Sequence, residues 1–311
     1  MLKYVIRRIM LMIPVILGVS FIVFFIMSFT PGDPARLILG ESATFEDIAN
    51  LREEMGLNDN FFLRYIRYIK NAVFSFDFGN SYSTKQPVTI ELFERFPSTL
   101  KLAFGSTLLM VLIGVPVGII SAVKQYTLID KISLISALLL TSMPAFWLGL
   151  MLILLFSLRL GWLPATGVDT LVHFILPCVT LAAAMMASLI RMTRSNMLEV
   201  IRQDYIRTAR AKGAKEMSVI YKHALRNALL PVITIIGLNF GGLLGGTMII
   251  ESVFAMPGLG TLTINAIRMK DTPTVMSSIL FVAIFAGIIN LIVDILYVYV
   301  DPRIKSQYSK S

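Results

Sequence analysis

Residues 204–231 read DYIRTARAKGAKEMSVIYKHALRNALLP, and this basic stretch separates two long apolar segments of the chain. The interval from 191 to 227 holds three acidic residues, Glu199, Asp204 and Glu216. Each Lys or Arg at the centre of a bilayer costs about 2.5–3.5 kcal/mol, so we expect this interval in water or among lipid headgroups. The flanking apolar segments are expected to cross the membrane. Nine basic residues fall in the interval: Arg191, Arg194, Arg202, Arg207, Arg210, Lys212, Lys215, Lys222 and Arg226.

The composition of the whole chain supports a membrane protein. Of its 311 residues, 56% are hydrophobic and only 15% are charged, and the mean hydropathy is +0.76. Soluble domains carry about 25% charged residues, so an ordinary cytosolic enzyme and a disordered chain are excluded. A single cysteine, Cys178, excludes a disulfide scaffold. We attribute the net charge of +9 to a basic cytoplasmic side rather than to a nucleic-acid partner.

Six apolar stretches are long enough to cross a bilayer, which takes roughly 20 residues. The sequence therefore predicts an all-α polytopic membrane protein with six transmembrane helices and a long extracytoplasmic loop after the first helix. The predicted spans are residues 9–29, 98–123, 132–158, 174–190, 228–250 and 275–300.

The predicted division of the chain follows these spans. Residues 1–30 form an N-terminal anchor and the first span, 31–97 the outer loop, 98–300 the core with its cytoplasmic segment 191–227, and 301–311 a tail. An even number of spans places both termini on one side, and the positive-inside rule makes that side the cytoplasm. The terminal basic residues that support this are Lys3, Arg7, Arg8, Arg303, Lys305 and Lys310.

The outer loop is too long to lack structure of its own. Thr44 and Asp47 have the spacing of a capping box that opens a short helix ending near Met55. Residues 61–69 predict an aromatic amphipathic helix, which either lies on the membrane surface or packs under the loop. Residues 87–96 predict a further short helix that leads into the second span.

The basic segment predicts a bent helix. Residues 208–212 favour a helix, Gly213 breaks it, and residues 215–230 favour helix again. Ala209 and Ala214 would let another surface approach closely. The charges near the bend would pair with acidic groups of a docked partner or with anionic lipid, and contact with lipid alone remains the competing interpretation.

The sequence around Gly213 resembles the coupling-loop motif of ATP-binding-cassette importer permeases, which reads Glu-Ala-Ala, three residues and Gly before a later Leu-Pro. Residues 207–209 stand at the Glu-Ala-Ala positions as Arg-Thr-Ala, and the Leu-Pro is displaced to residues 230–231. These departures are typical of the dipeptide, oligopeptide and nickel branch. Further motifs of that branch occur in order at residues 31–34 (PGDP), 77–81 (DFGNS), 254–260 (FAMPGLG), 271–273 (DTP) and 301–303 (DPR).

This resemblance implies the first membrane subunit of a type I importer, paired with a homologous second permease. Two ATPase subunits, which carry the ATP and Mg, would dock on the cytoplasmic side, and a substrate-binding protein would dock outside. The chain itself would bind no cofactor and no metal, and it would be a transport subunit rather than an enzyme. The residues that would contact the ATPase are Arg207, Thr208, Ala209, Arg210, Ala211, Lys212, Gly213 and Ala214.

The resemblance makes peptides the expected substrate, with nickel complexes or glutathione as alternatives on the same architecture. An intramembrane hydrolase is a remote alternative, because it needs a nucleophile and a base at one depth. His173, at the outer margin of the fourth span, has no such neighbour by spacing. His173 and His223 lie on opposite sides of the predicted membrane, so they cannot share a metal.

Several polar and small residues inside the spans are candidates for the path or for helix packing. The chain contains no phosphate-binding G-x-x-x-x-G-K-[ST] loop, and its glycines at 237, 241, 242, 245 and 246 instead form G-x-x-x-G packing patterns. Gly114 and Gly118 suggest the same for the second span. Asp294 is as well placed to pair with a basic group as to contact substrate. The path candidates are Asn239, Ser142, Trp147, Asn290 and Asp294, with Pro144 shaping a kinked wall near Ser142.

Overall fold

A computed structural model describes residues 2–29, 32–40 and 42–300 of the chain. The predicted tail, with the motif at 301–303, and Pro31 lie outside these ranges. Over the described ranges the backbone is mainly helical, and an isolated bridge joins Asn80 to Pro87. The helices are α1 (Leu2–Ser28), α2 (Pro34–Leu39), α3 (Phe45–Glu54), α4 (Phe61–Lys70), α5 (Val88–Val123), α6 (Leu128–Ser142), α7 (Ala145–Leu152), α8 (Ile175–Ile201), α9 (Asp204–Ala211), α10 (Glu216–Ser218), α11 (Leu225–Gly246), α12 (Met248–Val253), α13 (Leu259–Arg268) and α14 (Thr272–Val300).

Four helices are each long and apolar enough to cross a membrane: α1, α5, α8 and α14. Two bent pairs of helical segments also qualify. One pair is Leu128–Ser142 with Ala145–Arg159, and the other is Glu216–Leu229 with Pro231–Leu243. If each bent pair is one span, the described part of the chain contains six candidate spans, as the sequence predicts. α5 packs along α8, α11 packs on α14, and α1 packs on α14.

Two helices are longer than the sequence predicts. α5 begins at Val88 rather than at residue 98, so the predicted short helix at 87–96 is its first part. The extension is stabilised because Val88 and Leu92 are fully buried in an apolar cluster with Phe281. α8 continues to Ile201, eleven residues past the predicted end of its span at 190.

The third span is broken rather than straight. α6 ends at Ser142 and α7 begins at Ala145. The helical segments Leu128–Ser142 and Ala145–Arg159 are bent by 101° relative to each other. Met143 is extended at φ −88° and ψ 126°, which is the conformation that a following proline favours. Pro144 therefore produces the predicted kink, and the stretch 132–158 is two short helices instead of one.

The fifth span ends earlier than predicted. α11 stops at Gly246, and Ile250 belongs to the separate helix α12 after Thr247. Within α11, an ideal Cβ at Gly237 would clash with Val293 of α14, and one at Gly241 would lie 2.7 Å from Asn290 Oδ1. These glycines therefore pack α11 against α14 of the same chain.

The glycines of the second span also pack internally. An ideal Cβ at Gly118 would lie 2.6 Å from Cβ of Thr193, and one at Gly114 would lie 3.1 Å from Leu189 Cδ2. Both neighbours belong to α8, so these positions allow the close approach of α5 to α8. In contrast, Gly242 and Gly246 of α11 have no described atom within 4 Å of an added Cβ.

The outer loop is built from α2, α3 and α4. The predicted capping box is confirmed, because the Asp47 amide donates to Thr44 Oγ1 at 3.2 Å and the Thr44 amide donates to Asp47 Oδ2 at 3.3 Å. The aromatic helix α4 packs on α1, where the Tyr65 hydroxyl donates to the Leu17 carbonyl at 3.1 Å. Rings of Phe61 and Tyr65 contact those of Phe21 and Phe24. This face of α4 therefore packs within the protein.

A buried ion pair joins three helices at one end of the bundle. Arg194 of α8 donates from Nε to Asp130 Oδ1 at 2.7 Å and from Nη2 to Asp130 Oδ2 at 2.9 Å. The Ser121 hydroxyl of α5 and the Tyr126 amide also donate to this carboxylate. Asp130 is 2% exposed and belongs to α6. Arg194, one of the nine basic residues of the interval 191–227, therefore has an acidic partner outside that interval. Because its charge is paired, Arg194 is accommodated in the part of α8 beyond residue 190.

Replacing Asp130 should destabilise the chain, because Asp130→Asn leaves the Arg194 guanidinium with no carboxylate in a largely buried site. Breaking a buried pair from one side costs about 3 kcal/mol, so we expect a clearly lower melting temperature in detergent. Asp204→Asn is the matched control, since Asp204 is exposed and lies 3.7 Å from Arg207. Equal melting temperatures for the two variants would contradict this role of Asp130.

Candidate functional site

The basic segment contains a short helix, α9, whose apolar side is buried against the rest of the chain. α9 runs for eight residues from Asp204, and it buries one side chain, Ile206, completely. Ile206 lies in an apolar cluster with Ile119 of α5, Met197 of α8 and Val219 after α10. A displacement of α9 would therefore be resisted by two long helices and by the segment that leads into α11.

A turn at Gly213 ends this helix, as the sequence predicts. Gly213 has φ +80°, a left-handed conformation that side chains other than glycine rarely adopt. Its amide donates to the Arg210 carbonyl at 2.9 Å, and the Ala214 amide donates to the Ala209 carbonyl at 3.2 Å. An added Cβ would meet no described atom within 4 Å, so the backbone conformation rather than lack of space requires glycine here.

An ion pair spans the turn. Arg210 donates from Nη2 to Glu216 Oε1 at 2.7 Å and from Nε to Glu216 Oε2 at 3.1 Å. The Glu216 carboxylate raises the pKa of Arg210, which therefore stays charged. Both side chains are substantially exposed, so the pair contributes little to stability. Its geometric effect is to tie α10 to α9, and this intramolecular use of Arg210 was not predicted.

The structure divides the eight predicted contact residues into two groups. Ala209 and Ala214 are half-buried against the apolar cluster around Ile206. The close approach of another surface to these two alanines stays a prediction. The residues left exposed are Arg207, Thr208, Arg210, Ala211, Lys212 and Gly213.

The five path candidates do not form one site. Asn239 of α11 is half-buried, and its Nδ2 lies 3.9 Å from Sδ of Met110 on α5. Asp294 pairs with Arg8 of α1 at 3.1 Å, which is the structural pairing considered from the sequence. Asn290 lies beside Gly241 and, with Asp294, lines a groove between α1 and α14.

Ser142 and Trp147 lie on either side of the kink in the third span. Both are exposed in this chain, and the Ser142 hydroxyl donates to the Leu138 carbonyl at 2.9 Å. They are therefore available to a neighbouring chain or to the path.

Glu251 is a buried carboxylate that the sequence analysis did not identify. It joins the segment after α11 to α5 and to the start of α13. Glu251 has no exposed surface, and it accepts hydrogen bonds from the Thr99 hydroxyl at 2.7 Å and the Thr247 hydroxyl at 2.9 Å. It also accepts from the amides of Gly260 at 2.8 Å and Thr261 at 3.1 Å. The motif at 254–260 is thus folded around this side chain, and its position at the end of an apolar span was the available signal.

Two of the quoted motifs meet through another buried carboxylate. The Ser81 hydroxyl, at the end of the motif 77–81, donates to Oδ2 of Asp271, which opens the motif 271–273. Asp271 is 2% exposed. Phe78 of the first motif is buried beside Leu259 and Phe281. The outer loop is therefore fixed to the turn between α13 and α14.

His173 lies in a turn and Cys178 lies in the core. His173 Nδ1 lies 2.9 Å from Thr170 Oγ1, so this side chain closes the turn before α8. Cys178 is buried in the core. Within residues 2–29, 32–40 and 42–300, no three His, Cys, Asp or Glu side chains are grouped to hold a metal.

Replacing Glu251 should disturb the corner that it organises. Glu251→Ala leaves two buried hydroxyls and two amides without their acceptor, at a cost of about 1–3 kcal/mol for each group that stays unsatisfied. We expect a lower melting temperature and faster proteolysis between residues 254 and 271. The matched control is Glu199→Ala, at an exposed position of α8, and a Glu251→Ala protein as stable as this control would refute the assignment.

Two family profiles match the chain and together cover most of it. Residues 114–306 match the profile described as "Binding-protein-dependent transport system inner membrane component". Residues 1–103 match the profile for the N-terminal part of such components. The boundary between the two matches falls inside α5.

Curated relatives match the chain from end to end. The dipeptide transport system permease protein DppB of Alkalihalophilus pseudofirmus is 43% identical, over 98% of this chain and 100% of its own length. The glutathione transport system permease protein GsiC of Escherichia coli (strain K12) is 44% identical, over 98% of this chain and 99% of its own length.

A solved structure shares part of the fold. A chain of the MetNI methionine ABC transporter, in an inward-facing conformation, superposes with a TM-score of 0.57 at 23% identity. The match covers 68% of this chain and 97% of the MetNI chain. About a third of the present chain therefore has no counterpart there.

Proposed function

Because the chain belongs to the family of inner membrane components of binding-protein-dependent transport systems, we propose that it carries peptides across the cytoplasmic membrane together with a homologous second permease. It is a multi-pass permease subunit of an ATP-driven importer, and it is not an enzyme. The intramembrane hydrolase considered from the sequence is thereby set aside.

The proposed substrate is a short peptide. Support comes from the two relatives, whose names assign them to dipeptides and to glutathione at nearly equal identity. Glutathione is itself a tripeptide, so both names describe small molecules with amide bonds and free carboxylates. Glutathione is therefore the second candidate on the same architecture.

The proposed contact with the ATPase is the exposed face of α9 and the turn that follows. This face carries Arg207, Thr208, Ala211 and Lys212, while Ile206 anchors the helix to α5 and α8. An ATPase can shift the permease only through contacts that differ between its two states. A short helix with a buried anchor transmits such a difference to the long helices instead of absorbing it locally.

The proposed orientation places α9 and both termini in the cytoplasm. The excess of Lys and Arg in residues 191–227 supports this arrangement. Two ATPase subunits, which hold the ATP and Mg, would dock on that side, and a substrate-binding protein would dock on the opposite side beside α2–α4. The apolar face of α1, which includes Met10 and Val15, is exposed in this chain and is available to lipid or to the second permease.

Gly213→Val should uncouple ATP hydrolysis from uptake. A β-branched side chain is strained at φ +80°, so the turn must rearrange and the exposed face of α9 moves. We expect the complex to assemble and hydrolyse ATP, while peptide uptake in vesicles falls at least tenfold.

Gly161→Val is the matched control for this experiment. Gly161 also has a left-handed φ of +65° and open space around an added Cβ, but it lies in the loop before α8. The strain is similar and the location differs. Normal uptake by the Gly213 variant, or equal losses in both variants, would argue against the coupling role.

Asn239→Leu should reduce or alter uptake without changing ATPase docking. The substitution removes the amide that lies between α11 and α5 while it keeps a similar volume. Peptide uptake in vesicles and co-purification of the ATPases measure the two effects separately. Asn265→Leu, at an exposed position of α13, is the control. Unchanged uptake would remove Asn239 from the proposed path.

A further inference from the structure

The outer-loop helix α4 has a second apolar face, which its packing on α1 does not cover. Phe62, Ile66 and Val73 are 62%, 61% and 58% exposed. Their spacings of four and seven residues place them along one side of α4 and of the helical segment Asn71–Ser75 that continues it. Half-buried Ile69 lies on the same side, and these four side chains form the exposed stripe of α4. Exposed apolar patches of this kind mark contacts with a membrane or a partner, and the function proposed above does not use this one.

α4 crosses α1 at the depth of the membrane. The Tyr65 hydroxyl of α4 donates to the Leu17 carbonyl at 3.1 Å. The candidate span in α1 is Val5–Ser28, so Leu17 lies near its middle. At 1.5 Å per residue, Leu17 is about 16 Å from the end of the span at Ser28. The hydrocarbon core of a bilayer is about 30 Å thick, so a side chain of α4 reaches well into the depth that lipid occupies.

Aromatic rings connect the exposed surface of α1 with the exposed stripe of α4. Phe29 and Phe25 are 72% and 49% exposed, and their ring centres lie 4.7 Å apart. The Phe25 ring lies 6.1 Å from the ring of Phe61, which lies 5.4 Å from that of Phe62. A membrane span presents exposed rings of this kind to lipid. The four rings therefore continue the lipid-facing surface of α1 onto α4.

The basic side chains of α4 lie outside the exposed stripe. Arg67 and Lys70 are exposed on the adjacent side of the helix, and Arg67 Nη2 donates to Asp59 Oδ2 at 2.7 Å. On another side, the guanidinium carbon of Arg64 lies 5.8 Å from the centre of the Phe24 ring. Long basic side chains beside an apolar face extend their charges towards water and lipid headgroups. An apolar stripe flanked by such residues is typical of a helix that lies in the membrane interface.

We propose that the exposed stripe of α4 inserts into the lipid leaflet beside α1 and holds the outer-loop helices at the bilayer surface. A helix of this kind buries its apolar face about 5–10 Å into the boundary between headgroups and acyl chains. The contact with lipid follows from the depth of α4 along α1 and from the continuous aromatic surface. Only its assignment to the outer leaflet rests on the orientation proposed for the transporter.

Spin labels on single cysteines test this contact in the full chain in lipid nanodiscs. Cys178→Ala removes the native thiol, and labels are attached at Ile66→Cys and Val73→Cys. Relaxation by oxygen, which concentrates in lipid, is compared with relaxation by chromium oxalate, which stays in water. Because the apolar face is buried in lipid, we expect the ratio of the two to be roughly fivefold higher at both positions than at Glu53→Cys. Glu53 is the control because it is exposed on α3.

Two results would overturn the proposal. A ratio at Ile66 and Val73 equal to that at Glu53 would place the exposed stripe in water. Protection of both positions from oxygen and from chromium oxalate alike would show that a second copy of the chain or another protein covers it. If the Ile66→Cys protein does not fold, the label at Val73 gives the same test. The measurement needs neither an ATPase nor transport, so failure of the proposed function would not change its result.

Discussion

The ion pair between Asp130 and Arg194 is the interaction on which the rest of this end of the molecule depends. A guanidinium this far along an apolar helix is tolerated because a carboxylate from α6 neutralises it. With that charge paired, α8 continues to Ile201, and Met197 becomes fully buried. Met197 in turn forms part of the cluster that holds Ile206, so the position of α9 follows from a contact made by a different pair of helices.

At the opposite end of the fold, buried carboxylates are also stabilised by donors, which here are hydroxyls and backbone amides instead of a cation. Buried carboxylates cost free energy unless several donors reach them. Glu251 collects two hydroxyls and two amides, and Asp271 binds Ser81 of the outer loop. Each carboxylate joins segments that are distant in sequence. The outer-loop helices are thereby fixed to the turn before α14.

Local patterns in the sequence predicted the features that depend on neighbouring residues. These are the apolar spans, the capping box at Thr44, the kink at Pro144 and the break at Gly213. Features that depend on distant partners were not predictable in this way. Arg194 of α8 pairs with Asp130 of α6, and Ala209 packs against a cluster from α5 and α8, so both contacts join segments that are distant in sequence. The family resemblance is confirmed by both profiles, while the individual roles of the exposed residues on α9 stay predictions.

We propose that the exposed face of α9 is the contact through which an ATPase moves the permease. A cryo-EM map of the complete transporter in lipid nanodiscs tests it most directly. We expect residues 207–213 to be seated in a cleft of an ATPase subunit, with Ile206 still buried against α5 and α8. A map in which residues 205–222 contact only phospholipid would contradict it.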